Sequence, residues 1–354
     1  MVEAISSDNT IEKNIPVKLG LLTWGKQLVH DFCSQTWVVK LCRYFSPFHY
    51  QRENAEKILQ LRDLILTPVG AVSIVGGDAL LQLKNCICEQ VNPTKTALPL
   101  RLSVTLEDSL EAAFRLKEEL GSEKIAILNM ANRWQVGGVY RNPFCRGSQE
   151  EALFRASNLF CSLSSSELGK KFGKMRVDGG FTTKKTSHHI PYFGAVVSEE
   201  VTFSRKNQRQ QFSVISAAAP DMRKGSDEST ALRQENCWEK VMTAKIQAIF
   251  EAAIRNGATK LVLGAFGCGC FVNDPWKVAS LFKKIMDEKR YQGQFSQIVF
   301  AIKDSPSSPT YQAFQGVFAA KNNNKSEDSQ SVSDPEFMAK PISIVDHGGY
   351  RDLD

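Results

Sequence analysis

The chain has 354 residues, 42% of them apolar and 23% charged, with 44 lysines and arginines against 38 aspartates and glutamates. Those proportions exclude a fibrous or globally disordered chain, and the small cationic surplus, spread along the sequence, falls short of the basic footprint of a nucleic-acid binder. No run reaches the roughly 20 apolar residues of a membrane span, "MVEAISSDNT" lacks the pattern of a signal peptide, and the nine cysteines follow no regular spacing, so a cytoplasmic, reducing setting without disulfides is expected.

Residues 1–100 read as an N-terminal helical extension, with two or three helices in "WGKQLVHDFCSQTWVVKLCRYF" and "NAEKILQLRDLIL". From Leu102 the pattern changes to short β-branched runs alternating with amphipathic helices, the signature of an α/β layer architecture. "LRLSV" is a strand, and "LEDSLEAAFRLKEELG" is a helix with Leu106, Leu110, Ala113 and Phe114 on one face, closed by Gly121. "KIAILNMAN", "QFSVISAAAP", "KLVLGAF" and "QIVFAIKD" are apolar runs of strand length that end in polar or small residues, and four of them imply a central sheet. Between them lie two crossover helices. "WEKVMTAKIQAIFEAAIRNG" aligns Met242, Ile246, Ile249 and Ala253 and stops at Gly257, while "DPWKVASLFKKIM" starts with Asp274 as cap and Pro275 in the first turn. Residues 169–209 have poor periodicity and are expected to be a long excursion over the sheet or pocket. The domain so defined spans 101–320, and 321–354 reads as a flexible polar linker and tail.

Two stretches carry chemistry. In "VGGVYRNPFCRGSQEE", Ser148 and Glu151 have the spacing of a capping box, which leaves Gln149 and Glu150 unexplained. Gly137 and Gly138, just past a strand end, allow positive φ or close approach of the backbone to a ligand. Ordinary capping and the floor of an active site both fit. In "GAFGCGCFVNDP" a strand runs into a glycine-rich turn and then a capped helix, which is how α/β proteins present backbone N–H groups to a phosphate; a ligand-free tight turn is the alternative. The lysine and hydroxyl residue of a Walker loop are missing. Cys268 and Cys270, like Cys86 and Cys88, form a C-x-C pair without the further ligands that zinc requires, so no metal is expected. His188 and His189 are adjacent and read as surface or lid residues. Asn129 and Asn132 place two amides at one strand end, and Ala217, Ala218 and Ala219 leave room at another.

Taken in order, "AILNMAN", Gly137–Gly138, the Gln149–Glu150–Glu151 run, "ISAAAPDM" and "LVLGAFGCGCFVNDP" resemble the microbial-type poly(ADP-ribose) glycohydrolase family over approximately residues 102–304. The resemblance implies a macrodomain-like three-layer α/β/α fold with a central mixed sheet, no cofactor, and ADP-ribose or an ADP-ribosylated protein as substrate. It implies further that Glu151 is the general acid that protonates the leaving ribose oxygen and that Glu150 holds a ribose hydroxyl. Asn129, Gly137, Gly138 and Gln149 would then bind substrate, with Gly267, Cys268, Gly269, Cys270 and Phe271 around the diphosphate and distal ribose. Two departures stand out. Val139 occupies the place of the family's third glycine, and the gap to Gln149 is slightly long; a reshaped cleft is the expected result. A non-catalytic ADP-ribose reader and a hydrolase specialised for mono-ADP-ribosylated protein are the competing readings.

Overall fold

The computed structural model describes residues 72–77, 99–119, 123–144, 147–164 and 190–319, together with Glu53, Glu56 and Lys57. The chain divides into two units, 1–319 and 320–354, and every described residue belongs to the first. In chain order the elements are β1 (Val72–Gly77), β2 (Arg101–Thr105), α1 (Ser109–Glu118), β3 (Ile125–Met130), α2 (Gln149–Arg155), α3 (Leu159–Leu163), β4 (Phe193–Arg205), β5 (Gln208–Ala217), α4 (Asp227–Gln234), α5 (Trp238–Arg255), β6 (Lys260–Leu263), α6 (Pro275–Met286), β7 (Gln297–Ala301) and α7 (Pro309–Ala319).

The strands form a seven-stranded sheet in the order β1-β4-β5-β3-β6-β7-β2. Strands β5, β3, β6, β7 and β2 are parallel, whereas β4 runs antiparallel to β5 and β1 antiparallel to β4. Alternation along β3 sorts the two cores. Ile125 and Ile127 pack with α1, α2 and α3 through Phe114, Leu153, Phe154 and Leu159. Ala126 and Leu128 pack on the other face, with α5, α6 and α7 through Met242, Ile246, Phe282 and Phe314. The result is the expected three-layer α/β/α architecture. Met242, Ile246, Ile249 and Ala253 are fully buried, as the helical periodicity of α5 requires. Asp274 caps α6 by accepting from the N–H groups of Trp276 and Lys277, with Pro275 in the first turn.

Two expectations are corrected. Val72–Gly77, inside the stretch read as a helical extension, is strand β1, paired with β4 over its whole length. Phe193–Arg205, inside the stretch read as an excursion, is a 13-residue strand. Its ladder with β5 shifts between Ser198 and Val201, and Glu200 there has φ 52. This break in the two-residue period hid the strand. Leu106, counted with the helix face, precedes α1 and is exposed, and α1 ends at the cap residue Glu119. Of the helices expected within residues 18–62, Glu53, Glu56 and Lys57 are described and are helical; the rest of that stretch, Cys86, Cys88, His188, His189 and the tail lie outside the described residues. No helix among the described residues is long and apolar enough to cross a membrane.

Candidate active site

Because five neighbouring strands are parallel, the loops that follow β3, β5, β6 and β7 emerge along one edge of the sheet, and β4 enters at that edge. Ligands of open α/β sheets bind at such carboxyl ends, where neighbouring strands diverge. Here the divergence falls between β3 and β6, whose pairing covers Ile125, Ala126 and Ile127 of β3. Ala131 donates to Ala217 of β5 at 2.9 Å, so by alternation the backbone groups of Leu128 and Met130 face β6.

Gln149 fills that gap. Its Oε1 accepts from the Met130 N–H at 3.0 Å, and its Nε2 donates to the Leu128 carbonyl at 2.6 Å and to Ser109 Oγ at 3.2 Å. The side-chain amide replaces the β6 backbone where β6 turns away. Gln149 was expected to bind substrate; its polar atoms instead serve the protein, pinning the start of α2 to the end of β3.

The next two residues are thereby fixed. The capping box of Ser148 and Glu151 forms, with the Ser148 N–H donating to Glu151 Oε2 at 2.6 Å and its hydroxyl donating to the same oxygen. Glu151 Oε1 accepts from the Val139 N–H at 3.2 Å. Capping and site formation therefore coincide in one residue. Glu150 Oε2 accepts from the Asn132 N–H at 2.8 Å, while its Oε1 is buried without a protein partner. Glu150 is 2% exposed, and burial pushes its carboxyl well above the usual range. The Asn132 N–H opposes that rise, the charge of Glu151 adds to it, and the Gly137 N–H and the Asn129 side chain work against it.

Gly138 has φ +54, and a Cβ there would lie 2.2 Å from Glu151 Oε1, so a residue without a side chain is required for the loop to pass the carboxyl. Gly137 is likewise at positive φ, against the Phe154 ring. Val139 is not among the described residues with positive φ, so the β-branched residue is accommodated and contributes an N–H to Glu151. Arg155, one turn after Glu151, holds the returning arm of the loop by donating to the carbonyls of Tyr140 at 2.8 Å and Asn142 at 3.0 Å.

Asn129 is fully buried on the face that carries Ile125 and Ile127, beneath α2. Its Nδ2 donates to Ser216 Oγ at 3.1 Å, and its Oδ1 has no protein partner. Asn132 makes an Asx turn, with Oδ1 accepting from the N–H groups of Trp134 and Gln135.

The glycine turn after β6 is organised by Asn273, which sequence reasoning missed. Its Nδ2 donates to the Gly267 carbonyl at 2.9 Å and to the Pro220 carbonyl at 2.8 Å, and its Oδ1 accepts from the Trp238 indole at 2.8 Å. A buried asparagine just before a helix cap was the available signal. Gly267 packs so closely on Ala219 that a Cβ would approach to 2.5 Å, which joins the turn to the small-residue end of β5. The Cys268 N–H closes the turn onto Ala265, whereas none of the described hydrogen bonds takes up the N–H groups of Gly269, Cys270 or Phe271. Val272, at φ 55, is strained for a β-branched residue and 63% exposed. Burial raises the Cys268 thiol to about 12, with Asp274 adding to the shift, while Cys270 is exposed. Arg223, gripped by both oxygens of Asp221 at 2.9 and 2.7 Å, lies 5.7 Å over the Phe271 ring. Among the described residues no cluster of histidine, cysteine and acidic side chains could hold a metal.

The strand ends thus bring Asn129, Gly137, Gly138, Glu150, Glu151 and the Gly267–Phe271 turn to one edge, around the fork that Gln149 props open. A model of the family described as microbial-type PARG, catalytic domain, matches residues 52–213. Over that stretch, a little under half of its length, the chain is similar to the microbial-type PARG catalytic domain. Its fold is similar to that of poly(ADP-ribose) glycohydrolase (PARG) from Deinococcus radiodurans, a point mutant of which, in complex with ADP-ribose, is 26% identical at a TM-score of 0.55, covering 71% of this chain and 95% of that one. The unmutated enzyme from the same organism, also in complex with ADP-ribose, matches at 26% identity and a TM-score of 0.55, covering 71% and 94%. PARG from Thermomonospora curvata shares the fold at 24% identity and a TM-score of 0.57, over 84% of this chain and 100% of its own. No curated protein sequence matches. The family match begins at residue 52 and includes β1, so the matched domain reaches well into the stretch read as an extension.

Two outcomes follow from the geometry. If Glu151 has the catalytic role that the resemblance implies, Gly138→Ala should cut turnover by at least tenfold, because the new methyl displaces its carboxyl by more than the about 0.5 Å that a catalytic group tolerates; steady-state kinetics beside a thermal melt checks this, the melt moving far less than the rate. The second concerns pH. The raised carboxyl of Glu150 means that, above the unfolded value near 4.5, the folded protein holds a proton the unfolded chain has lost, so stability falls as pH rises until the folded group also ionises. Glu150→Gln removes this dependence. Urea denaturation from pH 4 to 8 should show the variant gaining on the native protein above pH 4.5, by at most about 1.4 kcal/mol per pH unit, and no change in their difference below it.

Proposed function

We propose that this protein is an ADP-ribosyl glycohydrolase that cleaves the glycosidic bond to a terminal ADP-ribose, with Glu151 as general acid. The observation that carries the reading is the pair of adjacent, buried carboxyls at the fork between β3 and β6, with a glycine turn of unpaired N–H groups leaving β6 at the same edge. Solved structures of similar fold, described as PARG in complex with ADP-ribose, support this substrate class.

The diphosphate and the distal ribose of ADP-ribose each have a counterpart among the residues. The diphosphate takes the N–H groups of Gly269, Cys270 and Phe271, whose dipoles oppose its charge without a metal-type ligand set. Arg223, its charge paired with Asp221, lies beside the turn over the Phe271 ring. The distal ribose lies over the end of β3, where Asn129 Oδ1 offers an acceptor. Burial keeps Glu150 a neutral acid over a wider pH range than an exposed glutamate, so it can donate to a ribose oxygen through its unpartnered Oε1 as well as accept.

Glu151 is fixed in one orientation by Val139 and Ser148. In the reaction the bond from the anomeric carbon to the leaving oxygen breaks, that oxygen takes the proton of Glu151, and the ribose acquires oxocarbenium character. Water then adds to the anomeric carbon and returns a proton. The gain from one positioned acid of this kind is about 10²–10⁴-fold. Replacing Glu151 by glutamine should therefore lower release of free ADP-ribose by at least about 10²-fold, measured by mass spectrometry on poly- and mono-ADP-ribosylated substrates, with calorimetric affinity for ADP-ribose nearly unchanged. A native protein that binds ADP-ribose and releases none from either substrate would be a reader.

A further inference from the structure

The turn that leaves β6 keeps its N–H groups and its carbonyls in different company. Those of Gly269, Cys270 and Phe271 are the N–H groups that none of the described hydrogen bonds takes up, whereas the Gly269 carbonyl accepts from the Val272 N–H at 3.0 Å and the Phe271 carbonyl from the Met222 N–H at 2.9 Å. A carbonyl and the next N–H share one rigid plane, so holding the Gly269 carbonyl fixes the direction of the Cys270 N–H. Asn273, only 3% exposed, anchors the rest. Its backbone N–H donates to the Gly267 carbonyl at 3.1 Å, and its Nδ2 donates to the same carbonyl at 2.9 Å and to that of Pro220 at 2.8 Å, standing 3.5 Å from the carbonyl of Phe271. One side-chain amide thus ties both ends of the turn to the loop that follows β5.

An amide can do this in one orientation only. Carbonyls accept and never donate, so Nδ2 must face Gly267 and Pro220, and the group that selects this orientation stands at the other end of the amide. The Trp238 indole, a donor without acceptor capacity, gives its N–H to Asn273 Oδ1 at 2.8 Å. Trp238 opens α5, and its ring packs against both the large core on that face of the sheet and the smaller cluster of Phe193, Leu232, Val241 and Ala244. The donor is therefore delivered from a rigid element 35 residues away in sequence.

We propose that Trp238 is a positioning residue for the substrate diphosphate, acting through Asn273: its indole N–H fixes the amide that holds the turn in the form offering three N–H groups to an anion. The inference rests on the glycohydrolase reading above for the identity of that anion. Glycines permit the turn; the indole and the amide select it. Without the indole donor, Asn273 Oδ1 is buried with no partner and the amide is free to leave its carbonyls, so the ligand must order the turn as it binds and affinity falls. The bond-breaking step is insulated from this change, because Glu150 and Glu151 are placed from β3 and the loop that follows it.

Trp238→Phe keeps an aromatic ring and deletes the donor. Its calorimetric affinity for ADP-ribose should fall about tenfold, and in steady-state kinetics KM should rise by a similar factor while kcat stays within about twofold of the native value. Hydrogen exchange followed by mass spectrometry should quicken at the bonded amides of Cys268, Val272 and Asn273 and stay unchanged in β6. Asn273→Ala should weaken ADP-ribose at least as much, and adding Trp238→Phe to it should cost nothing further, since the indole acts only through the amide. Unchanged affinity in Trp238→Phe overturns the proposal, as does a kcat that falls as far as KM rises, or a further loss in the double variant; where Asn273→Ala does not fold, Trp238→Phe decides alone. Failure of the glycohydrolase reading shows separately, as absence of turnover by the native protein, and leaves the comparison of ADP-ribose affinities to decide the role of Trp238.

Discussion

Everything at this site depends on the side-chain amide of Gln149 standing where β6 would otherwise pair with β3. A central strand that loses a neighbour exposes an N–H and a carbonyl, and leaving such groups buried without partners costs roughly 1–3 kcal/mol each. The Gln149 amide supplies one donor and one acceptor at the spacing of a peptide unit, satisfying Met130 and Leu128 together. The fork can then stay open without water entering the sheet. Because the same residue begins α2, the two carboxyls that follow it are carried to the mouth of the fork.

Two glutamates adjacent in sequence thus acquire different environments. Glu151 has both oxygens engaged by Val139 and Ser148. Glu150 turns inward, receives one N–H, and keeps an oxygen buried and unpartnered. Neighbouring carboxyls whose surroundings differ in this way suit a division between proton transfer and substrate positioning. The glycine pair is part of the same constraint, since a side chain at Gly138 would occupy the space of the Glu151 carboxylate.

Much of this was legible in the sequence. The parallel strands end where apolar runs give way to polar or small residues, the capping box joins Ser148 and Glu151, and Asp274 with Pro275 marks the start of α6. What escaped was set by tertiary context. The two-residue period of β4 is interrupted at Glu200, and β1 gains its identity only by pairing with β4. Gln149 was assigned to substrate because a pattern of letters shows neither where a strand's partner departs nor which backbone groups are orphaned there. Asn273 escaped for the same reason: its partners at Pro220 and Trp238 are 53 and 35 residues away in sequence.

The most direct test is a crystal structure of the protein with ADP-ribose bound. The account predicts the diphosphate on the N–H groups of Gly269, Cys270 and Phe271, the distal ribose over the end of β3 with its anomeric oxygen about 3 Å from a Glu151 carboxyl oxygen, and Gln149 still bridging Leu128 and Met130. ADP-ribose bound elsewhere, or bound with both carboxyls turned from its ribose, would contradict it.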